Sequence, residues 1–254
     1  MEAVYVDAVR PCTHYPVMTN HKPPCIIAFA SSKGGAGKST NCLNVAGALA
    51  AMGNSVLVVD CDISETLHRW YQDNPTAQTI KGLSVEKPPE TNFGDYMRAI
   101  ARNESDKDFV LFDLPGQFTK DLLWVATAAH LVVTPCKVSE PDIMQANKLY
   151  LELIEIGRDY NKTIVQRILF NEYPNSISKH ETAFLEDVKT SVLPNFNTVI
   201  RRRGAYTESF GKGTTPHYAS PFNPSAIAEI DALVGEIYDL LNTQTQNQEE
   251  SIAA

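Results

Sequence analysis

The segment Lys33-Gly34-Gly35-Ala36-Gly37-Lys38-Ser39-Thr40 constrains this chain more than any other. It follows a short apolar run, Cys25-Ile-Ile-Ala-Phe-Ala30, and precedes an Ala-rich stretch with Cys42, Val45, Ala46 and Leu49 at helical spacing, closed by Gly53. A strand that turns through glycines into a helix aims successive backbone N–H groups, and the positive end of the helix dipole, at one point. An anion such as a phosphate suits that point. Lys38 is placed to reach β- and γ-phosphates, and the Ser39 hydroxyl to ligate Mg²⁺. The usual G-x-x-x-x-G-K-[ST] pattern asks for glycine at position 32, where this chain has Ser32.

Further short apolar runs follow at Val56-Leu-Val-Val59, Phe109-Val-Leu-Phe112, Leu131-Val-Val133 and, less cleanly, Ile164 to Phe170. Runs that are apolar on both alternating faces are expected to be covered on both sides. Helical segments are expected between them, around 118–129 and 141–158. The alternation predicts an α/β fold with a doubly wound, mostly parallel sheet and helices on both faces. A length of 254 residues with 43% hydrophobic content suits one larger domain. Residues 1–24, Pro-rich and without periodicity, read as an N-terminal extension, and 25–241 as the domain. Residues 242–254 read as a flexible polar and acidic tail. The stretch 73–108 is too generic to assign.

Three aspartates fall at expected strand ends: Asp60 and Asp62 after the second run, and Asp113 after Phe112. Doubly wound sheets bind ligands beyond the carboxyl ends of their strands. Carboxylates there can hold Mg²⁺ through water or orient an attacking water.

Charge is uneven. The chain carries 22 basic and 30 acidic residues, a net of −8. Residues 224–254 hold six acidic residues and no Lys or Arg, leaving 22 basic against 24 acidic in the rest. That balance disfavours a basic nucleic-acid coat but allows a local patch. Ile227, Ile230, Val234, Ile237 and Leu241 form one helical stripe whose polar side is acidic. Such a helix packs on the domain rather than on a membrane. No run of about 18 apolar residues and no signal-peptide pattern is present. The five cysteines form no C-x-x-C pair, which leaves disulfide scaffolds and zinc ribbons with little support. A cytoplasmic protein is expected. Trp70 and Trp124 both read as packing residues.

These motifs resemble the ParA/MinD family of deviant Walker A ATPases, whose members read KGGxGK[ST][ST] where this chain has Lys33 to Thr40. The resemblance runs on through Val56 to Asp62, Phe109 to Pro115 and Val132 to Pro135. A later block from Thr198 to Tyr206, with Gly213 downstream, looks like the family's segment before its final helices, so that about 25–241 is covered. The family often reads D-x-D-P-Q, whereas here Asp62 is followed by Ile63-Ser64.

The resemblance implies ATP and Mg²⁺ as cofactors, held by the loop Gly34, Gly35, Ala36, Gly37, Lys38, Ser39 and Thr40. Ser39 and Asp113 would serve the metal, and Asp62 would position the hydrolytic water. Lys33 would reach across a nucleotide-sandwich homodimer to the partner's ATP, and Asn171 would contact adenine. It also implies a non-specific DNA surface near the segment 198–217, where Arg201, Arg202, Arg203 and Lys212 stand against Glu208. The expectation is a DNA-binding ATPase of the small ParA type, nucleoid-associated, that segregates DNA and is stimulated by a partner protein. Alternatives are a helper of conjugative transfer, a positioner of a protein complex, or a nucleotide-switched scaffold with little turnover. Iron–sulfur carriers lack their cysteines here, and a metabolic P-loop enzyme has no use for Lys33.

Overall fold

The computed structural model describes residues 23–116, 120–174 and 193–253, together with Thr182. Most of the expected N-terminal extension and the start of the helix expected at 118 lie outside the described residues.

The elements in chain order are β1 (Cys25–Phe29), α1 (Lys38–Ala51), β2 (Val56–Asp60), α2 (Thr66–Asp73), α3 (Pro75–Gln78), β3 (Leu83–Glu86), α4 (Phe93–Ala101) and β4 (Phe109–Asp113). They continue with α5 (Lys120–Ala128), β5 (Leu131–Lys137), α6 (Glu140–Asp159), β6 (Gln166–Asn171), α7 (Gly204–Gly211) and α8 (Pro224–Ala253). The six strands form one parallel sheet in the order β3-β2-β4-β1-β5-β6. This is the doubly wound sheet that the apolar runs predict.

Strand side chains alternate between two cores. Ile27, Phe29, Val56, Val58, Phe109 and Leu111 face α1 and the stripe Ile230, Val234 and Ile237 of α8. Ile26, Ala28, Leu57, Val59, Val110 and Phe112 face the opposite layer, with Met97, Leu122, Val125, Leu149 and Leu153. Both faces of the sheet are therefore largely apolar, and the buried aspartates Asp60 and Asp113 stand at its carboxyl edge. Register brings Phe29 and Asp60 both opposite Asp113, so the ends of β1, β2 and β4 meet there. Beyond β6, residues 195–202 run alongside as an irregular parallel edge, with Ile168 opposite Asn195 and Tyr173 opposite Arg201.

Three features depart from expectation. The unassigned stretch holds β3 and α4; β3 has only four residues and sits at the sheet edge, too brief to show a period. Helix α8 runs to Ala253, through the segment expected as a tail. That segment has neither Gly nor Pro, and its Gln and Glu residues are good helix formers. Trp124 is 48% exposed rather than core, its ring lying against Gly94 of α4. Trp70 is buried as expected.

Candidate nucleotide site

The phosphate loop leaves β1 and enters α1 at Lys38. Gly35 and Gly37 both hold positive φ, 73° and 93°, which turns the loop back over its own amides. Gly37 is required twice over. A Cβ there would lie 2.0 Å from Asn171 Nδ2, the atom that donates to the Ala36 carbonyl at 2.9 Å. Asn171, at the end of β6, thus braces the loop, using one N–H of its side-chain amide for that bond. Asn41 of α1 donates to the Gly37 carbonyl at 2.8 Å and fastens the other side. Gly34, Gly35 and Thr40 are exposed on the loop, while Ala36 and Lys38 are buried.

Asp113 is fully buried, and neither of its oxygens has a hydrogen bond of good geometry. Burial pushes its carboxyl up to about 7, helped by the charges of Asp60 and Asp62 and opposed by the nearby Ser39 hydroxyl and Lys38. A carboxylate orphaned beside a serine at the head of a phosphate loop fits a divalent cation that completes its shell with nucleotide oxygens and water. Among the described residues no group of three or more His, Cys, Asp or Glu surrounds a metal position. Mg²⁺ is the ion that manages with so few protein ligands.

The pair Asp60 and Asp62 divides its roles. Asp60 is buried and accepts from the amides of Asp62 at 3.1 Å, Leu67 at 2.8 Å and His68 at 2.9 Å. It closes the loop after β2 and caps the first turn of α2 from outside the helix. Burial raises its pKa and those three amides hold it back. Asp62 sits on the loop that Asp60 closes, partly exposed, with one oxygen accepting from the Ser64 amide at 2.9 Å.

Lys33 is 46% exposed, and its ammonium lies 2.8 Å from Asp142 of α6, a carboxylate 8% exposed. Asp142 also bonds the hydroxyl of Ser139, the N-cap of α6. Burial pushes the Asp142 carboxyl up, but Lys33 and Ser139 outweigh it and the net shift is down. Sequence reasoning passed over this partner. Its signal is the run Ser139-Glu-Pro-Asp142, a capping pattern opening a helix beyond a strand end.

The arginine run is less free than its charge suggests. Glu229 of α8 accepts from the Arg201 amide at 3.1 Å and from Tyr206 Oη at 2.9 Å, and pairs with the Arg203 guanidinium at 2.5 Å. Arg201 also lies over the Tyr173 ring, 5.6 Å from its centroid. Lys212 pairs with Glu208 at 2.6 Å on the surface. Arg202 is exposed, with its backbone tied to the Tyr173 carbonyl. The three arginines stand before α7 and Lys212 just after it, and each end carries a carboxylate, Glu229 and Glu208 respectively.

A family model described as ATPase MipZ matches residues 25–149. Protein ParA of Rhizobium radiobacter is 26% identical over 196 residues, spanning 76% of this chain and 85% of the relative. The maintenance of carboxysome distribution protein A of Halothiobacillus neapolitanus is 23% identical over 216 residues, spanning 83% of this chain and 95% of the relative. Among solved structures, an McdA variant of Cyanothece in complex with ATP superposes with a TM-score of 0.63 at 14% identity, covering 87% of this chain and 97% of that one.

Proposed function

We propose that this chain is a P-loop ATPase of the ParA/MinD type, that it cycles between an ATP-bound homodimer and an ADP-bound monomer, and that it uses that cycle to position cargo along DNA. The observation that carries the reading is the division between the two loop lysines. Lys38 is buried in the loop, as a lysine serving its own nucleotide should be. Lys33 is half-exposed on the rim, where its ammonium pairs with Asp142, and from there it can be offered to a phosphate beyond its own subunit.

In this mechanism the loop amides and Lys38 bind the β- and γ-phosphates, and Asp62 orients the attacking water in line with the γ-phosphorus. Ser39 and Asp113 would hold Mg²⁺, which when bound would neutralise charge on the phosphate oxygens. Phosphoryl transfer needs positioning and charge neutralisation more than covalent help. A lysine supplied by the second subunit therefore makes hydrolysis depend on dimerisation, and the ATPase times an assembly. Arg202, with Arg201 beside it and Lys212 at the far end of α7, gives each subunit a modest contact to phosphate backbone without base reading.

Sedimentation with ATP, with ADP and without nucleotide tests the cycle. The expected result is a dimer with ATP alone, lost in Lys33→Ala while ATP still binds. Asp62→Ala is expected to form the dimer and to lose turnover by about 10²-fold or more. Random-sequence duplex DNA is expected to bind only in the ATP state, with affinity falling steeply as salt rises. An ATP dimer that ignores DNA at every salt would remove the DNA step. The second reading, a positioner of a protein complex, would then stand. The pairing of Arg201 and Arg203 with Glu229 favours that second reading, as does likeness to a carboxysome distribution protein.

A further inference from the structure

Helix α2 carries more connections than its eight residues suggest. Its first turn shares an anchor with the catalytic loop, because Asp60 accepts from the amides of Asp62, Leu67 and His68 together. On the same helix Trp70 Nε1 donates to the carbonyl of Phe210 at 2.8 Å, across 140 residues of chain. The two rings stack with centroids 5.8 Å apart and planes 28° from parallel. At the end of α2, Asn74 donates to the Trp70 carbonyl at 2.7 Å, and its side chain fills the space above Gly213. A Cβ on Gly213 would come within 2.6 Å of Asn74 Cβ, and φ there is +66°, so the contact has no slack.

Phe210 lies near the end of α7, and Gly213 just beyond it. The other end of α7 is pinned as firmly. Tyr206 donates to Glu229 at 2.9 Å, and Glu229 also holds the Arg203 guanidinium and the Arg201 amide. One helix thus spans the distance between the loop that carries Asp62 and the segment that carries the arginines. Close-packed contacts of this kind are kept or broken; they do not stretch.

The geometry points to Trp70 and Asn74 as positioning residues that join the 60–68 loop, α2 and α7 into one moving body. A nucleotide that shifts the Asp62 loop moves α7 with it and so alters the seating of Arg201 to Arg203. The first half stands on the ATPase site alone; the consequence for DNA rests on the proposed function.

Amide hydrogen exchange on the full chain, with and without Mg²⁺ and AMPPNP, tests the linkage on peptides covering 60–74 and 204–213. Both segments are expected to change protection in the wild type. In Trp70→Leu the 60–74 response is expected to persist, the 204–213 response to vanish, and AMPPNP still to bind. Trp70→Phe, which restores a ring against Phe210, is expected to bring the α7 response back. A merely structural tryptophan would lower protection in every state without severing the response. Should Trp70→Leu not fold, Phe210→Leu, which keeps the tryptophan, carries the same expectation of a weakened α7 response. The proposal is overturned if α7 ignores nucleotide in the wild type, or responds fully in these variants. Absence of DNA binding would leave this result untouched and would count only against the proposed function.

Discussion

At the scale of single residues, the site is organised by carboxylates that are uncomfortable without ligand. Asp113 has a folded pKa of about 7 against an ordinary 3.8. The folded state therefore holds its proton more tightly than the unfolded state between those values. Stability falls as pH rises through that window and stays lowered above it. For a group this buried the cost is on the order of a few kcal/mol. Asp113→Asn should thus melt higher than wild type in the absence of ligand. The gap should open between about pH 4 and pH 7, as the two pKa values set it, and level off above. The same variant should lose Mg²⁺-dependent turnover. Equal melting temperatures at pH 5 and pH 8 would show that Asp113 carries no such burden. This residue was legible from its place after a strand. Its companion Asp142 was not, because Lys33 and Asp142 meet only through the neighbouring positions of β1 and β5 in the sheet.

Elements were legible where a pattern was long enough to repeat. Runs of four or more apolar residues between turn signals marked β1, β2 and β4, because both faces of the sheet are covered. The phosphate loop was legible because glycine is the one residue its backbone accepts. Gly37→Ala joins left-handed backbone, φ 93°, to a clash with Asn171, so both the loop and its brace must shift. ATP binding measured by calorimetry should fall below detection in Gly37→Ala, with the far-ultraviolet circular dichroism of the sheet retained. Asn171→Ala should recover little, since the strained φ remains. Short edge elements were illegible for the opposite reason. Leu83-Ser-Val-Glu86 offers two buried positions, and only the pairing with β2 makes it a strand.

Over the whole molecule, charge was legible as a total and not as a field. Three adjacent arginines read as a basic patch, yet Glu229, far along the chain in the acidic stretch 224–254, reaches back to hold two of them. Long-range pairing of that sort leaves no local trace. It changes which substitution is informative. Arg203→Ala removes one partner of Glu229, which keeps Tyr206 and Arg201, and should cost stability on the order of 1–2 kcal/mol, as for a lost hydrogen bond to a charged group. Arg202→Ala touches no ion pair among the described residues and should leave the unfolding free energy within about 0.5 kcal/mol of wild type. In the ATP state it should weaken duplex binding evenly across sequences and lower the salt slope by about one. An unchanged slope in Arg202→Ala would place the DNA contact elsewhere.

The brace on the phosphate loop has a consequence in time. Gly37 is made early, but the amide that supports it belongs to Asn171, and the carboxylate in front of it belongs to β4. β1 lies in the middle of the sheet with both neighbours supplied by later chain. During synthesis the loop is made before β4, β5 and β6 and becomes competent only after them. A nascent chain cut short before β6 would carry every residue of the loop, fastened by Asn41, and still lack the brace of Asn171.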